Sequence, residues 1–503
     1  MIKDSKSTDS KITTGVPGLD NVLLGGLMPN NFYLVQGDPG AGKTTVALQY
    51  AIGRVKAGEK TLYISLTESR ADLDKAARSH GWSLEGIHIF DLSKIANNVA
   101  GQAEVSVFHP SETQLGETTQ AVLAEVERVQ PAHVIFDGLS ELRLLSGDAL
   151  RYRRQLLSLK SYFAEKQVTV LTLDDRTFQF GEIQPESVVD GNIVLERLLP
   201  EYGRSRRRLF ITKTRGSDFR EGYHDYEIKE AGLIVHPRLV AAEHHDRFSQ
   251  EITASGIKNL DVMLSGGLSA GTATLMLGPA GVGKSTVSMQ FVITALKRGQ
   301  KAAVYAFDEV LGTMIERTEK LCLKKEGGVR AFIEEGLLHA QQVDPAEMSA
   351  GAFSHEVRRA VNAGAKVIVI DSLNGYLNAM PEERYLTTHL HEMFSYLNQK
   401  GITTIMVVAQ HGFMGSYVPG KMGDIDVSYL ADTVLLFRYF EADAEIKQAI
   451  SIMKKRTGKH ERSIRELAIH EDGVVVGEPL KGFVGIMTGV PRYKGATRME
   501  TQE

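Results

Sequence analysis

A phosphate-binding loop occurs twice in this chain of 503 residues. Both copies fit the pattern G-x-x-x-x-G-K-[ST], and their lysines, Lys43 and Lys284, are 241 residues apart. In this pattern the glycines let backbone N–H groups surround phosphates, the lysine reaches the β- and γ-phosphates, and the hydroxyl residue binds Mg²⁺. The predicted nucleotide-binding residues are Gly37, Asp38, Pro39, Gly40, Ala41, Gly42, Lys43, Thr44 and Thr45, and Gly278, Pro279, Ala280, Gly281, Val282, Gly283, Lys284, Ser285 and Thr286. Two such loops predict a duplicated nucleotide-binding domain.

The repeat extends well beyond the two loops. Four further features recur at the same offset of 241: Gly15-Val16-Pro17-Gly18-Leu19-Asp20 with Gly256-Ile257-Lys258-Asn259-Leu260-Asp261, Gly25-Gly26-Leu27 with Gly266-Gly267-Leu268, Thr67-Glu68 with Asp308-Glu309, and Lys213-Thr214-Arg215 with Lys454-Lys455-Arg456. We therefore predict an N-terminal tail over 1–11, domains over 12–247 and 248–490, and a short tail over 491–503. The charged stretch 242–247 indicates a solvated linker. Its adjacent His244 and His245 could ligate a metal ion, but no Cys or spaced His completes a ligand set.

Composition excludes several classes of protein. A net charge of −4 argues against a protein that coats nucleic acid through bulk charge. Cys322 is the only cysteine, so no intrachain disulfide can form, which suits a reducing cytosol. The polar N-terminus lacks the apolar core of a signal peptide, and apolar runs such as 367–370 are too short to span a bilayer. We expect a cytoplasmic protein without membrane contact.

Each half alternates short apolar strands with helical stretches, which predicts an α/β fold with a mainly parallel sheet flanked by helices. In the first half, 32–35 is a predicted strand that leads into the phosphate-binding loop, and 43–57 is the helix that follows it. The further predicted strands are 61–65, 133–137, 168–172 and 207–212 in the first half, and 274–277, 303–306, 367–371, 404–408 and 449–453 in the second. The strand, loop and helix order supplies the context that the phosphate-binding motif needs.

Carboxylates follow the predicted strands at two places in each half. Asp137 and Asp371 end buried strands, where a carboxylate can reach Mg²⁺ together with the hydroxyls of Thr44 and Ser285. A strand-ending turn is the alternative interpretation of these aspartates. The second strand of each half is followed by Glu68, and by Asp308 and Glu309. We predict that these residues orient or deprotonate the attacking group, although an exposed pair on a loop is the alternative.

Two cations stand near the end of each half, far along the chain from its own phosphate-binding loop. They are Lys213 and Arg215 in the first half and Lys454 and Arg456 in the second. Cations two residues apart on a strand point to the same face. We expect them to reach the γ-phosphate of a neighbouring subunit, where a guanidinium stabilises transition-state charge. A solvated strand face explains the same residues equally well.

Together these motifs make the chain resemble the KaiC family of circadian clock proteins over about residues 12–485. The resemblance rests on Thr14-Gly15-Val16-Pro17-Gly18-Leu19-Asp20, Ser255-Gly256-Ile257-Lys258-Asn259-Leu260-Asp261, the two loops and the terminal K-x-R motifs. It implies two tandem RecA-like P-loop domains, ATP and Mg²⁺ as cofactors, and a homohexamer of two stacked rings with ATP between subunits. It also implies slow ATP hydrolysis in the N-terminal ring and autophosphorylation in the C-terminal ring.

The chain departs from the family pattern at three places. The family's paired glutamates fall on Thr67-Glu68 and Asp308-Glu309, so that Thr67 removes one carboxylate. Its phosphoacceptor pair falls on Ser428 and Tyr429, which leaves Ser428 as the predicted phosphoacceptor and a phenol where Thr is expected. The tail over 491–503 lacks much of the extension that clock members use to engage an activating partner. A KaiB-like partner is the one that the resemblance leaves open.

Two other classes of protein use the same core. A RecA- or RadA-type recombinase would place basic runs such as 204–208 and 151–154 on DNA phosphates, but the net charge gives little bulk attraction and a duplicated chain suits a closed ring better. The remaining alternative is a nucleotide-gated scaffold, in which ATP holds a ring together with very low turnover. Thr67 and Tyr429 keep that alternative open.

Overall fold

The chain divides into two compact units, Met1–Arg238 and Leu239–Glu503. The computed structural model describes residues 10–92, 110–176, 185–322, 328–344, 346–378, 386–409, 428–470, 473–486 and 492–493. Most of the tails predicted over 1–11 and 491–503 therefore lies outside the described residues.

The first unit contains a nine-stranded sheet. Its strands are β1 Phe32–Gly37, β2 Thr61–Ser65, β3 Ile87–Asp91, β4 His133–Asp137, β5 Thr169–Asp175, β6 Gly191–Leu198, β7 Arg206–Thr214, β8 His224–Lys229 and β9 Gly232–His236. They lie in the order β3-β2-β4-β5-β1-β6-β7-β8-β9. The first six strands of this order run parallel, and β7 to β9 add antiparallel at one edge.

The second unit repeats this sheet after a short antiparallel pair. The pair is β10 Ile252–Thr253 with β11 Leu268–Ser269. The sheet consists of β12 Ala273–Gly278, β13 Lys301–Ala306, β14 Leu338–Gln342, β15 Ala365–Asp371, β16 Thr403–Ala409, β17 Thr433–Ala442, β18 Glu445–Lys455, β19 Ile464–His470 and β20 Gly473–Pro479. Its order, β14-β13-β15-β16-β12-β17-β18-β19-β20, is the order of the first sheet. The predicted pair of mainly parallel α/β domains is therefore confirmed.

Helices connect the parallel strands and cover both faces of each sheet. In the first unit they are Leu19–Val22, Lys43–Lys56, Arg70–Ser79, Pro110–Val129, Leu139–Ser146 and Ala149–Glu165. In the second unit they are Lys258–Met263, Lys284–Lys297, Leu311–Cys322, Gly328–Glu334, Ala350–Asn362, Leu373–Asn378 and Leu386–Gln399. Because helices shield both faces, β1, β2 and β4 are buried along their whole length. Alternate side chains of β2 point into the hydrophobic cores on opposite faces of the sheet. Tyr63 packs in one core, and Leu62 and Ile64 pack in the other.

The repeated glycine motifs are explained by close backbone contacts rather than by ligand chemistry. Gly26 and Gly267 have φ angles of 124° and 141°, and a Cβ at either position would collide with the carbonyl of Ile12 or Thr253. These carbonyls belong to the short antiparallel pairings that begin each unit. The aspartate of each L-D motif closes the same segment, since the Asp20 carboxylate accepts the Thr14 amide at 2.7 Å. The repeated residues here therefore maintain the fold.

The predicted linker over 242–247 is mostly exposed, as expected, but it is anchored to the second unit. The ring of His244 packs edge-on against Tyr396 with centroids 4.9 Å apart, and Lys400 forms an ion pair with Asp246 at 2.6 Å. Within the described residues, no group of three or more His, Cys, Asp or Glu side chains could hold a metal ion.

Candidate nucleotide-binding sites

The first phosphate-binding loop joins the carboxyl end of β1 to the helix Lys43–Lys56. Gly40 and Gly42 adopt left-handed φ angles of 76° and 103°. A Cβ on Gly42 would lie 2.7 Å from Cδ1 of Ile228, so a side chain there would press the loop against β8. Within the described chain, the amides of Gly42, Lys43 and Thr44 have no backbone or side-chain acceptor, as expected at a helix N-terminus. Such amides are suited to phosphate oxygens.

Lys43 is held at the mouth of this loop by three groups. Its Nζ donates to the carbonyls of Gly37 at 2.8 Å and Asp38 at 3.2 Å. It also forms an ion pair with Asp175 at 2.7 Å. The lysine side chain is largely buried, and the Asp175 carboxylate is about half exposed. The sequence motif predicts the lysine, but it does not predict its carboxylate partner.

The second loop has the same backbone and a more buried lysine. Gly281 and Gly283 have φ angles of 76° and 97°, and a Cβ on Gly283 would lie 2.8 Å from Cδ1 of Ile469. The Lys284 ammonium donates to the carbonyls of Gly278 at 2.8 Å and Pro279 at 2.5 Å. Burial lowers the pKa of Lys284 to about 8. A buried ammonium of this kind gains strongly from an anionic ligand.

Asp137 lies at the end of β4, next to the end of β2 in the sheet register. It is 7% exposed, and the Tyr63 hydroxyl donates to its Oδ2 at 2.6 Å. Burial raises the pKa of this carboxyl, while the Tyr63 hydrogen bond and the charge of Lys43 oppose the rise. The structure thus places Asp137 within the electrostatic reach of Lys43. Among the described residues, no hydrogen bond joins Asp137 and Thr44.

Glu68 follows β2 at the same edge of the sheet. The backbone amide of Glu68 donates to the Ser65 hydroxyl at 3.0 Å, and the Glu68 carbonyl accepts from that hydroxyl at 2.7 Å. The side chain is partly buried. Burial and the negative charges of Asp137 and Asp72 raise its pKa. A glutamate with a raised pKa beside a second carboxylate is suited to accept a proton.

In the second unit the predicted metal pair is brought together. A hydrogen bond from Ser285 to Asp371 lowers the pKa of that carboxyl against the larger effect of burial, which raises it. Asp308 accepts a hydrogen bond from the Ser372 hydroxyl, beside Asp371. Glu309 forms an ion pair with Arg317 at 2.6 Å. Sequence reasoning missed Arg317, which lies eight residues beyond Glu309 on the helix Leu311–Cys322.

The four predicted cations lie near the amino ends of the parallel strands of each sheet. The phosphate-binding loop of the same unit follows the carboxyl end of a parallel strand. Lys213 is in β7, whereas Arg215 follows its last residue, so the prediction of two cations on one strand is only half right. The Arg215 amide donates to the carbonyl of Asp190, and Phe32 at the start of β1 donates to the Asp190 carboxylate. Gly37 lies at the other end of β1, about 17 Å away at 3.3 Å per residue.

The same displacement occurs in the second unit. Lys454 is in β18 and Arg456 follows that strand. The Arg456 guanidinium forms an ion pair with Asp432 at 3.3 Å, and Asp432 also accepts the amide of Ala273, the first residue of β12. Gly278 ends that strand. Both K-x-R motifs therefore lie too far from the phosphate-binding loop of their own unit to contact a nucleotide bound there.

Positive charges lie close together around Lys213 in the first unit. Burial lowers the pKa of Lys213, and the charges of Arg215 and Lys160 lower it further. The side chain of Arg215 is 59% exposed and that of Arg456 is 56% exposed. Clustered, accessible cations of this kind are typical of a surface that meets an anion.

The basic run over 204–208 is largely engaged within the chain. Arg208 forms an ion pair with Glu196 at 2.8 Å and lies over the ring of Tyr223, with its guanidinium carbon 4.1 Å from the centroid. Arg207 donates to the Ser205 hydroxyl. These contacts leave less of the run for DNA phosphates than the sequence alone suggests.

Ser428 begins a short 3₁₀ helix, Ser428–Leu430, just before β17. The structure describes its backbone but not its side chain, so the phosphoacceptor prediction rests on the sequence. Tyr429, at the position where the resemblance expects Thr, is 52% exposed.

Two phosphate-binding loops on duplicate α/β sheets, each with a strand-end aspartate, define a tandem P-loop protein of the RecA-like class. The sequence model of the KaiC ATPase family matches residues 12–240 and again 253–481. The chain therefore belongs to the KaiC family.

The curated relatives agree over nearly the full length. The circadian clock protein KaiC3 of Synechocystis sp. is 24% identical, covering 99% of this chain and 98% of its own. The circadian clock oscillator protein KaiC of Thermostichus vulcanus is 26% identical, covering 97% and 93%. That of Synechococcus elongatus is also 26% identical, covering 96% and 92%. Family membership supports ATP binding and ATPase activity.

Among the described helices, none combines the length and apolarity needed to cross a bilayer.

Proposed function

We propose that this protein is an ATPase that assembles into a ring, with ATP bound at each of its two sites between neighbouring subunits. The ring has six subunits in the family that the chain belongs to. In this proposal the first unit hydrolyses ATP slowly, and the second unit both hydrolyses ATP and transfers phosphate to Ser428. The names of the relatives support a role in circadian or similar timing regulation. This proposal includes a cytoplasmic location, and a KaiB-like protein is the partner to test.

One observation carries this proposal. In each unit the phosphate-binding loop lies at the carboxyl ends of the parallel strands, and the K-x-R motif lies at their amino ends. Besides the loop lysine, an arginine that reaches the γ-phosphate accelerates hydrolysis by about 10³–10⁵. The cations Lys213 and Arg215 cannot complete the loop of their own unit across about 17 Å of strand. Head-to-tail packing of identical subunits would bring the two ends together, and a rotation that closes makes a ring.

The residues fit Mg²⁺ and a triphosphate. Backbone amides at two helix N-termini, which have no acceptor within the described part of the chain, suit phosphate oxygens. The lysines Lys43 and Lys284 supply the positive charge. In the second unit Ser285 and Asp371 would hold Mg²⁺, and the influence of the Ser285 hydroxyl on the pKa of Asp371 supports this pairing. Thr44 and Asp137 would do so in the first unit. Bound Mg²⁺ would neutralise the developing charge on the phosphates.

The attacking group at each site needs a carboxylate that can hold its proton. Glu68 in the first unit has the raised pKa that suits this task. Glu309, oriented by Arg317, and Asp308 would serve the second unit. Thr67 leaves the first site with a single carboxylate at this position, which agrees with slow turnover.

The ATPase proposal is tested with single-site variants of the full chain. Lys43→Ala should abolish turnover at the first site and Lys284→Ala at the second, and the double variant should release no phosphate from ATP. Phosphate release by the double variant at the wild-type rate would refute the assignment of both sites. Wild-type protein that assembles with MgATP but turns over no ATP would instead identify a nucleotide-gated scaffold.

The autokinase proposal needs a separate experiment. Wild-type protein incubated with MgATP should acquire phosphate on the peptide that contains Ser428, and the Glu309→Gln variant should acquire much less. Phosphorylation would add about −1.5 to −2 charges next to β17. Mass spectrometry that finds no phosphate on Ser428 after prolonged incubation would contradict the proposal, and Tyr429 phosphorylation would redirect it.

A further inference from the structure

Asp175 is the one carboxylate that contacts a phosphate-binding lysine in the described chain. It ends β5, and the parallel register of the sheet sets it opposite Gly37, the first residue of the loop. Its Oδ1 lies 2.7 Å from the Lys43 ammonium. The Asp175 amide donates to the Asp174 carboxylate at 3.0 Å and to the Ser140 hydroxyl at 3.3 Å, so the backbone at this position is fixed.

The negative charge of Asp175 acts on the rest of the first site as well. It raises the pKa of Asp137, the carboxyl that we assign to Mg²⁺. Lys43 acts on Asp137 in the opposite direction. The first site therefore sets one lysine among three carboxylates, Asp137, Asp175 and Glu68.

The second site provides the matched comparison. The residue opposite Gly278 in its register is Ala409, which ends β16 as Asp175 ends β5. Its lysine, Lys284, bonds to the carbonyls of Gly278 and Pro279. At the register position opposite the first residue of the loop, the first sheet thus has a carboxylate and the second has none.

We propose that Asp175 competes with the nucleotide for Lys43 and so makes the first site a weaker, less ATP-selective site than its loop alone would be. This inference rests on the proposed function, since it assumes that the first loop binds ATP. Lys43 must leave Asp175 to reach the β- and γ-phosphates, and the remaining carboxylate then repels the triphosphate. The repulsion is larger for ATP than for ADP because the γ-phosphate adds charge next to the end of β5.

The test isolates the first site in full-length protein by using a Lys284→Ala background. Binding of a fluorescent ATP analogue and of its ADP counterpart is measured with and without Asp175→Asn, which keeps the side-chain size. Because the ion pair is partly exposed, we expect a gain of about two- to fivefold in affinity for the ATP analogue. The gain for the ADP analogue should be smaller, and both gains should shrink at high salt.

The reciprocal change supplies the control. In a Lys43→Ala background, Ala409→Asp should weaken the ATP analogue at the second site by a similar factor. Equal affinities with and without Asp175→Asn, or weaker binding by that variant, would overturn the inference. If the first site binds no nucleotide in either form, the proposed function of that site fails as well. Binding that appears only with Asp175→Asn would support the competition strongly.

Discussion

The clearest mechanistic prediction is that Arg215 acts on the nucleotide of a neighbouring subunit. From the start of β1, beside Asp190, to Gly37 the sheet spans about 17 Å, and an extended arginine side chain covers less than half of that distance. The Arg215→Ala variant should therefore lose first-site turnover while retaining nucleotide binding by its own loop. Cations of this kind contribute about 10³–10⁵ in rate.

Subunit mixing measures whether the cation acts in trans. All proteins carry Glu309→Gln, so that phosphate release reports the first site. Lys43→Ala and Arg215→Ala subunits are each inactive at that site for different reasons. The two variants are mixed in equal amounts and reassembled. Because subunits meet head to tail, half of the interfaces have an intact loop and half of those have an intact neighbouring arginine, so about a quarter are complete. Phosphate release should rise to about a quarter of the Glu309→Gln value.

The same experiment has a clear opposite outcome. If Arg215 served its own subunit, no mixed interface would be complete, and the mixture would be as inactive as its two components. Full first-site activity in Arg215→Ala alone would also refute the reasoning. Arg78→Ala, which removes an exposed arginine from the helix Arg70–Ser79, is the matched control and should leave turnover unchanged.

Three further predictions follow from buried or paired side chains. Burial raises the pKa of Asp174 to about 6, so its charged form destabilises the first unit, and stability should fall by about 3 kcal/mol as pH rises from about 4 to above 6. Asp174→Asn should therefore raise the thermal unfolding midpoint at pH 7.5 but not at pH 4, and an equal effect at both would contradict this. Burial and the charge of Asp137 raise the pKa of Glu68. First-site turnover should therefore begin to fall, as the pH is lowered, at a pH above the usual pKa of glutamate. The Glu68→Gln variant should not show this pH-dependent fall. Arg317→Ala should lower second-site turnover about tenfold through loss of Glu309 orientation, with partial recovery in Arg317→Lys; unchanged turnover would exclude the role.

Local motifs predicted the parts of the sites that lie close together in sequence. The loop, its lysine and the helix that follows were predictable because glycine pattern and apolar strand adjoin each other. Asp137 and Asp371 were predictable as strand-end residues for the same reason. The mainly parallel character of each sheet also followed from alternating strands and helices, since parallel strands require crossover connections.

Contacts between distant segments were not predictable in the same way. The Lys43–Asp175 ion pair joins residues that meet only through the register of β1 and β5. The role of Gly26 became clear only once Ile12 was seen to pack against it. Arg215 was expected inside a strand, but β7 ends one residue earlier. Each of these depends on which strands become neighbours, and the side-chain pattern of one strand does not specify its neighbour.

The central claim is that each chain binds two nucleotides in sites that a second subunit completes. Native mass spectrometry of full-length protein with MgATP tests it directly, because the mass gives both the number of subunits and the number of nucleotides. We predict that the wild-type protein forms a closed ring with two nucleotides bound per chain. The Lys43→Ala variant should bind one nucleotide fewer per chain. A monomer that carries a full complement of two nucleotides, or one that binds none at millimolar MgATP, would contradict the account.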